Sequence, residues 1–258
     1  MWFDTHAHVY YLKNSLPVDV IKESWDQGVR GILVPGVDAK ANSQAIECAN
    51  LAKHVWAGVG FHPNDCFDLA EDDWSLLTQQ VQHAKVLAIG ETGLDYYRQQ
   101  DDASCAIQQE SFERHSELAR EFNKPLIVHT RAAKQDTLVH LSRCYEKGVG
   151  GILHCFSEDL DMAMKAIDYG FYISFSGIIT FKNAQELRAS LLAVPKDRVL
   201  IETDCPFLAP VPHRGHENKP AYVRYVGEKV AELWGMEIPE VQQILFENSL
   251  RVLGLSES

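Results

Sequence analysis

Apolar positions along the chain fall into short runs separated by longer segments in which they recur every three to four residues. The short runs, rich in β-branched residues and glycine, predict strands over 2–8, 31–37, 55–62, 86–93, 125–131, 150–157, 170–176 and 198–204. The segments between them have helical period: 17–28, 41–53, 72–84, 103–122, 133–146, 158–168, 183–193 and 219–234. A further helix is expected near 238–253. Strand-then-helix units in unbroken succession predict an α/β fold with a parallel sheet. Eight such units close a (β/α)8 TIM barrel, whose usual length is about 250 residues. The rival, an open doubly wound sheet, calls for a glycine-rich turn after the first strand. Here that turn reads Asp4-Thr5-His6-Ala7-His8. No linker or low-complexity tract interrupts the pattern, so one barrel domain over 1–258 is expected.

Composition adds exclusions. At 46% hydrophobic and 23% charged, the 258 residues are those of a globular protein and not of a disordered one. No apolar run approaches the roughly 18 residues a membrane helix needs. The first residues carry neither a basic nor an apolar leader, so a cytoplasmic setting is expected. Six cysteines without a CxxC pair read as reduced, packed thiols. Net charge is −12, from 36 acids against 24 bases, which argues against a broad nucleic-acid footprint. An anionic substrate would need local positive charge, and bound metal ions are one source of it.

The expected strand ends are unusually polar: Asp4-Thr5-His6-Ala7-His8, Gly60-Phe61-His62-Pro63, Gly90-Glu91-Thr92-Gly93, Val128-His129-Thr130-Arg131, Leu153-His154-Cys155 and Ile201-Glu202-Thr203-Asp204. In a barrel, chemistry sits where strands end at the C-terminal mouth. Alternation along a strand puts His6 and His8 on one face, His129 with Arg131, and Glu202 with Asp204. Closing the barrel then gathers His6, His8, Glu91, His129, His154 and Asp204 into one ring. Imidazole with carboxylate suits Zn, Mn, Fe or Ni, and a carboxylate- and water-rich site suits Mg. Four histidines and two acids suffice for two divalent ions, with Glu91 as the bridging carboxylate. Two ions ~3.5–4 Å apart can clamp the attacking and leaving oxygens of an ester. Other residues carry lesser expectations. His62 either meets substrate or is held by its Gly-x-His-Pro turn, and Glu202 supports a ligand from one layer below. Cys155 and Cys205 face away from the ligands beside them, and Asp4 orients the first histidine pair. The helical residues His54, His83, His115 and His140 are expected at the surface or as caps.

These blocks resemble the TatD family of metal-dependent deoxyribonucleases, within the amidohydrolase superfamily. The likeness runs on through Leu94-Asp95-Tyr96, Pro125-Leu126-Ile127, Phe156-Ser157, Cys205-Pro206-Phe207-Leu208, Arg214-Gly215, Asn218 and Pro220, spanning 4–220 in the family's order. The resemblance implies one ion held by His6, His8, Glu91 and Asp204 and another by Glu91, His129 and His154. It also implies a (β/α)8 barrel, a cytoplasmic setting and Mg or Mn in function. Two departures stand out: His216-Glu217 follows Arg214-Gly215 where many relatives are basic, and Cys205 and Phe207 stand where Ser and Tyr are frequent.

The expected function is therefore 3′→5′ trimming of DNA ends or single-stranded DNA by a metal-activated water. Glu91 and Asp204 would be the catalytic carboxylates, Asp204 as general base. Arg131, with His62 and Arg214, would bind substrate. Arg98, Lys182 and Lys219 could follow the backbone, and Tyr96, Tyr97 and Phe181 could stack bases. No membrane and no obligate protein partner is implied. The alternative is hydrolysis of a small ester, lactone, amide or phosphoester on the same metals, which the acidic net charge and His216-Glu217 favour.

Overall fold

The computed structural model describes residues 1–256, and the last two residues of the expected domain lie outside the described residues. Eight strands lie in one sheet in chain order, and every strand is parallel to the next. They are β1 (Trp2–Asp4), β2 (Val29–Pro35), β3 (Val55–Val59), β4 (Val86–Asp95), β5 (Leu126–Arg131), β6 (Gly151–Leu153), β7 (Phe171–Phe175) and β8 (Val199–Ile201). Between them run α1 (Pro17–Asp26), α2 (Ala39–Asn50), α3 (Glu71–Val81), α4 (Asp102–Phe122), α5 (Lys134–Glu146), α6 (Leu160–Asp168) and α7 (Gln185–Ala193), and α8 (Val223–Trp234) and α9 (Ile238–Val252) follow. Aspartates start several of these helices: Asp38, Asp101 and Asp159 each accept a backbone N–H of the first turn.

Both faces of a parallel strand are covered, so the strands read as continuous apolar runs, yet alternation still sorts their side chains. Trp2, Ile32, Val34, Leu126, Leu153, Phe171, Ile173 and Val199 belong to the shell beneath the helices. Phe3, Leu33, Ala88, Ile127, Ile152, Tyr172 and Leu200 form a separate buried cluster with Leu250 and Leu253. That cluster is the barrel interior, and the end of α9 plugs its lower mouth.

Two residues further along, the same interior rows turn polar. Phe3 is followed by Thr5, Ile127 by His129, Ile152 by His154, Tyr172 by Ser174 and Leu200 by Glu202. Thr5 Oγ1 lies 3.1 Å from Ser174 Oγ across the interior.

Most strands end sooner than their apolar runs suggest. β1, β6 and β8 have three residues each, so His6, His8, His154, Glu202 and Asp204 stand just beyond their ladders. By alternation from Phe3, His6 and His8 would face outward. They face inward because the chain leaves the ladder after Asp4 and is held by new partners. Thr5 N donates to Ile201 O (3.2 Å), Asp204 N to His6 O (2.9 Å), Ala7 N to Leu33 O (3.0 Å) and His8 N to Cys205 O (2.9 Å). All but the bond to Leu33, which lies on β2, close the sheet between β1 and β8 at the level where the histidines sit.

Candidate metal centre

β4 carries the central carboxylate. It runs on to Asp95, past the expected end at Gly93, with a register shift against β5 between Ile89 and Thr92. Gly90 and Gly93 sit at φ 138° and 127°. A Cβ on them would lie 2.4 Å from Ile127 O and 2.0 Å from His129 O, so only glycine lets β5 come this close. Glu91, between them, is buried and points to the barrel axis.

Its two oxygens face two groups of nitrogens. Glu91 Oε2 lies 3.3 Å from His6 Nε2 and 3.6 Å from His8 Nε2, and those nitrogens are 3.1 Å apart. Asp204 Oδ1 closes this group at 3.8 and 3.6 Å from them. Glu91 Oε1 lies 2.9 Å from His154 Nε2 and 3.3 Å from His129 Nδ1, themselves 3.4 Å apart. The structure thus brings together the six residues the strand ends pointed to.

The outer nitrogens of three of these rings are tied to acceptors. His8 Nδ1 donates to Pro35 O (3.2 Å), His129 Nε2 to Asp95 Oδ2 (3.3 Å) and His154 Nδ1 to Glu202 Oε1 (3.3 Å). With the outer nitrogen's proton held by its acceptor, the inner nitrogen facing Glu91 is the one a metal would take. His6 Nδ1 is buried without a hydrogen-bond partner among the described residues. His62 differs. Its Nδ1 accepts Asn64 N–H (3.1 Å), so in the neutral ring Nε2 carries the proton, 3.4 Å from Glu91 Oε1. It stands with Glu91 and His129 in one metal-sized group, but in this arrangement it donates a hydrogen bond.

Charge at the centre is lopsided. Asp4, Glu91, Asp95, Glu202 and Asp204 crowd one region, and among the described residues none pairs with a lysine or arginine. Burial pushes Asp204 well above the usual carboxylate range, with Glu202, Glu91 and Asp4 adding to it against His154. Burial likewise raises Asp4 to about 8, although Thr203 Oγ1, Thr203 N and His6 N all donate to it. Burial holds His8 near about 4, His62 near about 3 and His6 well below its ordinary value. Burial also opposes charge on His154 and His129, but Glu91 with Glu202 holds the first well up, and Asp95 with Glu91 raises the second. For Glu91, burial is outweighed by His154 and His62, which hold it well down. A buried excess of carboxylate with four imidazole nitrogens turned toward it is a donor set that fits divalent cations.

Several expected positions need correction. Cys155 lines the cavity above the centre, because at φ 44° its backbone leaves the strand alternation that would turn it away. Cys205 is buried as expected. His115 and His140 are buried and not superficial. His115 Nε2 accepts Phe61 N–H (3.0 Å) and its ring packs on Trp74, so it anchors the turn carrying His62. His140 stacks on Phe112. The Tyr96 hydroxyl is tied down, donating to Asp136 (2.9 Å) and accepting from Gln109 (2.8 Å). Lys219 is held by Glu23. Glu217 is held at the mouth by hydrogen bonds from Lys13 N (3.0 Å) and Asn14 Nδ2 (3.3 Å).

Two site residues escaped the reading of strand ends: Asp95 and Asn64. Asp95 accepts Asn64 Nδ2 (3.0 Å) and Tyr97 N (3.0 Å) as well as His129. It sits four residues beyond Glu91 on the same strand, a spacing that would have revealed it had β4 been extended.

The cavity over the centre has a volume of about 790 Å³. Arg131 and Arg98 stand on its rim, with the Arg131 guanidinium 3.8 Å over the Tyr97 ring. Arg214 lies outside the cavity wall, 3.6 Å over the ring of Phe181.

Comparison with known proteins places this geometry. The family model described as TatD related DNase matches residues 3–254. A metal-dependent hydrolase of Escherichia coli strain K12, YcfH, is 48% identical over 202 residues, 77% of this chain and 74% of that protein. The 3′-5′ ssDNA/RNA exonuclease TatD of Salmonella typhimurium strain LT2 is 30% identical over 240 residues, 91% of each. The crystal structure of YJJV, a TatD homologue of Escherichia coli K12, superposes with a TM-score of 0.88 at 26% identity, covering 99% of this chain and 98% of that one.

Proposed function

The chain belongs to the TatD-related DNase family of metal-dependent hydrolases, and from that membership we propose a deoxyribonuclease that trims single-stranded DNA in the 3′→5′ direction. The observation that carries the proposal is the division of Glu91, one carboxylate oxygen to each of two groups of imidazole nitrogens. We assign one divalent ion to His6, His8, Glu91 and Asp204 and a second to Glu91, His129 and His154, with Mg or Mn in function. When bound, the ions would activate water and neutralise the charge that develops on phosphate.

The chain's own groups supply the rest. Asp204, which stands in the His6–His8 group and on the cavity wall, is placed to take a proton from the attacking water. His62 lines the cavity beside Glu91 and could turn its Nε2–H to a phosphate oxygen once Glu91 is engaged elsewhere. Arg131 and Arg98 on the rim offer charge-assisted hydrogen bonds to flanking phosphates. The Salmonella relative named as a single-strand exonuclease supports this substrate class. A second reading, a small phosphoester, is favoured by one observation: of the basic residues expected to follow a backbone, Lys219 is engaged by Glu23 and Arg214 lies outside the cavity. Single-stranded oligonucleotides and p-nitrophenyl phosphate esters, compared under the same metal, separate the two. Release of mononucleotides from the 3′ end supports the nuclease. Turnover of the small esters alone, with Mg or Mn restored, rejects it.

A further inference from the structure

Phe207 is a large aromatic residue with 54% of its surface exposed, yet it is held in place. Its N–H donates to Asp204 O (2.9 Å), and its carbonyl accepts Nδ2 of the buried Asn218 (2.6 Å). The same loop is fastened to the one after β7 by Val211 N–H on Thr180 Oγ1 (2.9 Å). The ring therefore stands on a fixed backbone three residues from a metal-site carboxylate, and it lines the cavity with Leu208 and Ile178. Phe207 belongs to neither buried cluster, and together with Leu208 and Ile178 it gives the otherwise polar cavity an apolar wall.

The order of strands supplies the second half. In a closed ring of eight, the loop after β8 stands across from the loop after β4. Phe207, Leu208 and Ile178 thus form an apolar arc on one side of the centre. Arg98 and Arg131, from the ends of β4 and β5, form a cationic arc on the other. A nucleotide chain has the same division, apolar base faces and anionic phosphates, and the two arcs match it in charge.

We propose that Phe207, backed by Leu208 and Ile178, is a stacking platform for the base of the 3′-terminal nucleotide, while the adjoining phosphates face Arg131 and Arg98. The proposal rests on the nuclease reading and deepens it. It makes the terminal base a determinant of binding, although no hydrogen bond reads its identity, because every base offers a stacking face.

The test compares a single-stranded oligodeoxynucleotide ending in a normal nucleotide with one ending in an abasic residue, using wild type, Phe207→Ala and Phe207→Trp. Phe207→Ala is expected to raise KM on the normal strand on the order of tenfold, with the loss in KM and not in kcat. Phe207→Trp should restore it. On the abasic strand the wild type should already show the raised KM, and the variants should converge on it. An unchanged KM for Phe207→Ala on the normal strand overturns the platform while leaving the nuclease in place. An equal loss on both strands also overturns it, by showing that the ring shapes the cavity and does not stack. Absence of any oligonucleotide cleavage by the wild type with Mg or Mn overturns the nuclease reading and the platform together.

Discussion

Replacing Asp95 with asparagine alters the metal centre without touching a proposed ligand. Oδ2 of Asp95 takes two donors, His129 Nε2–H at 3.3 Å and Asn64 Nδ2 at 3.0 Å, and Oδ1 takes Tyr97 N–H at 3.0 Å. An amide of the same size has one oxygen for these two positions. With its oxygen toward Tyr97, its NH2 opposes His129 Nε2–H, and the ring is driven to carry its proton on Nδ1, where a metal would bind. With its oxygen toward His129, the NH2 opposes the Tyr97 amide. Either arrangement leaves a donor unmatched. Loss of such an outer partner weakens metal binding by roughly ten- to a hundred-fold, or about 1.4–2.8 kcal/mol at 1.4 kcal/mol per decade. Titration of Mn or Zn against a chromophoric chelator should show that loss for one equivalent only, because His6, His8 and Asp204 do not contact Asp95. Two equivalents bound with wild-type affinity would refute the role given to Asp95 and the assignment of His129 Nδ1 to the metal.

Three further outcomes are expected. Glu91→Gln should lose at least one equivalent of metal and slow hydrolysis by two or more orders of magnitude, while His62→Ala keeps both equivalents; normal turnover with full metal content in Glu91→Gln would remove the bridge. Arg131→Ala should weaken phosphate substrates about ten- to a hundred-fold, from roughly 1.5–3 kcal/mol for a charged hydrogen bond, with metal content unchanged; equal substrate affinity would leave Arg131 only its place over Tyr97. His129, His154 and Asp204 are all held above their ordinary values in the free protein, so each keeps its proton to higher pH than an exposed group would. Metal must displace those protons, and affinity should fall as pH drops through the raised values and recover above them. Calorimetry in two buffers of different ionisation enthalpy should register the released protons, and identical heats would contradict this.

The barrel was legible because a strand buried on both faces leaves a continuous apolar run, and eight such runs alternate with helical segments. The polar ends of those runs were equally visible, and six of their residues meet at Glu91. His6 and His8 do share a face, but the strand that would make them alternate ends at Asp4. Strand alternation from Phe3 would point them outward, and it is the backbone pairing of Thr5–His8 with β2 and the segment after β8 that turns them in. Asp95 was hidden because the glycines flanking Glu91 look like a strand end, whereas they admit a register shift within a longer strand. His115 was hidden because α4 packs a stripe of Gln108, Ser111, His115 and Ser116 inward. A polar stripe reads as a solvent face until its partners, such as the Phe61 amide, are seen.

The claim on which the rest depends is that one carboxylate serves two ions. Crystals soaked with Mn and measured at its absorption edge test it most directly. Two anomalous peaks are expected about 3.5–4 Å apart, one on Glu91 Oε2 with His6, His8 and Asp204, the other on Glu91 Oε1 with His129 and His154. A single peak at full Mn concentration, or a second peak away from Glu91, would contradict it.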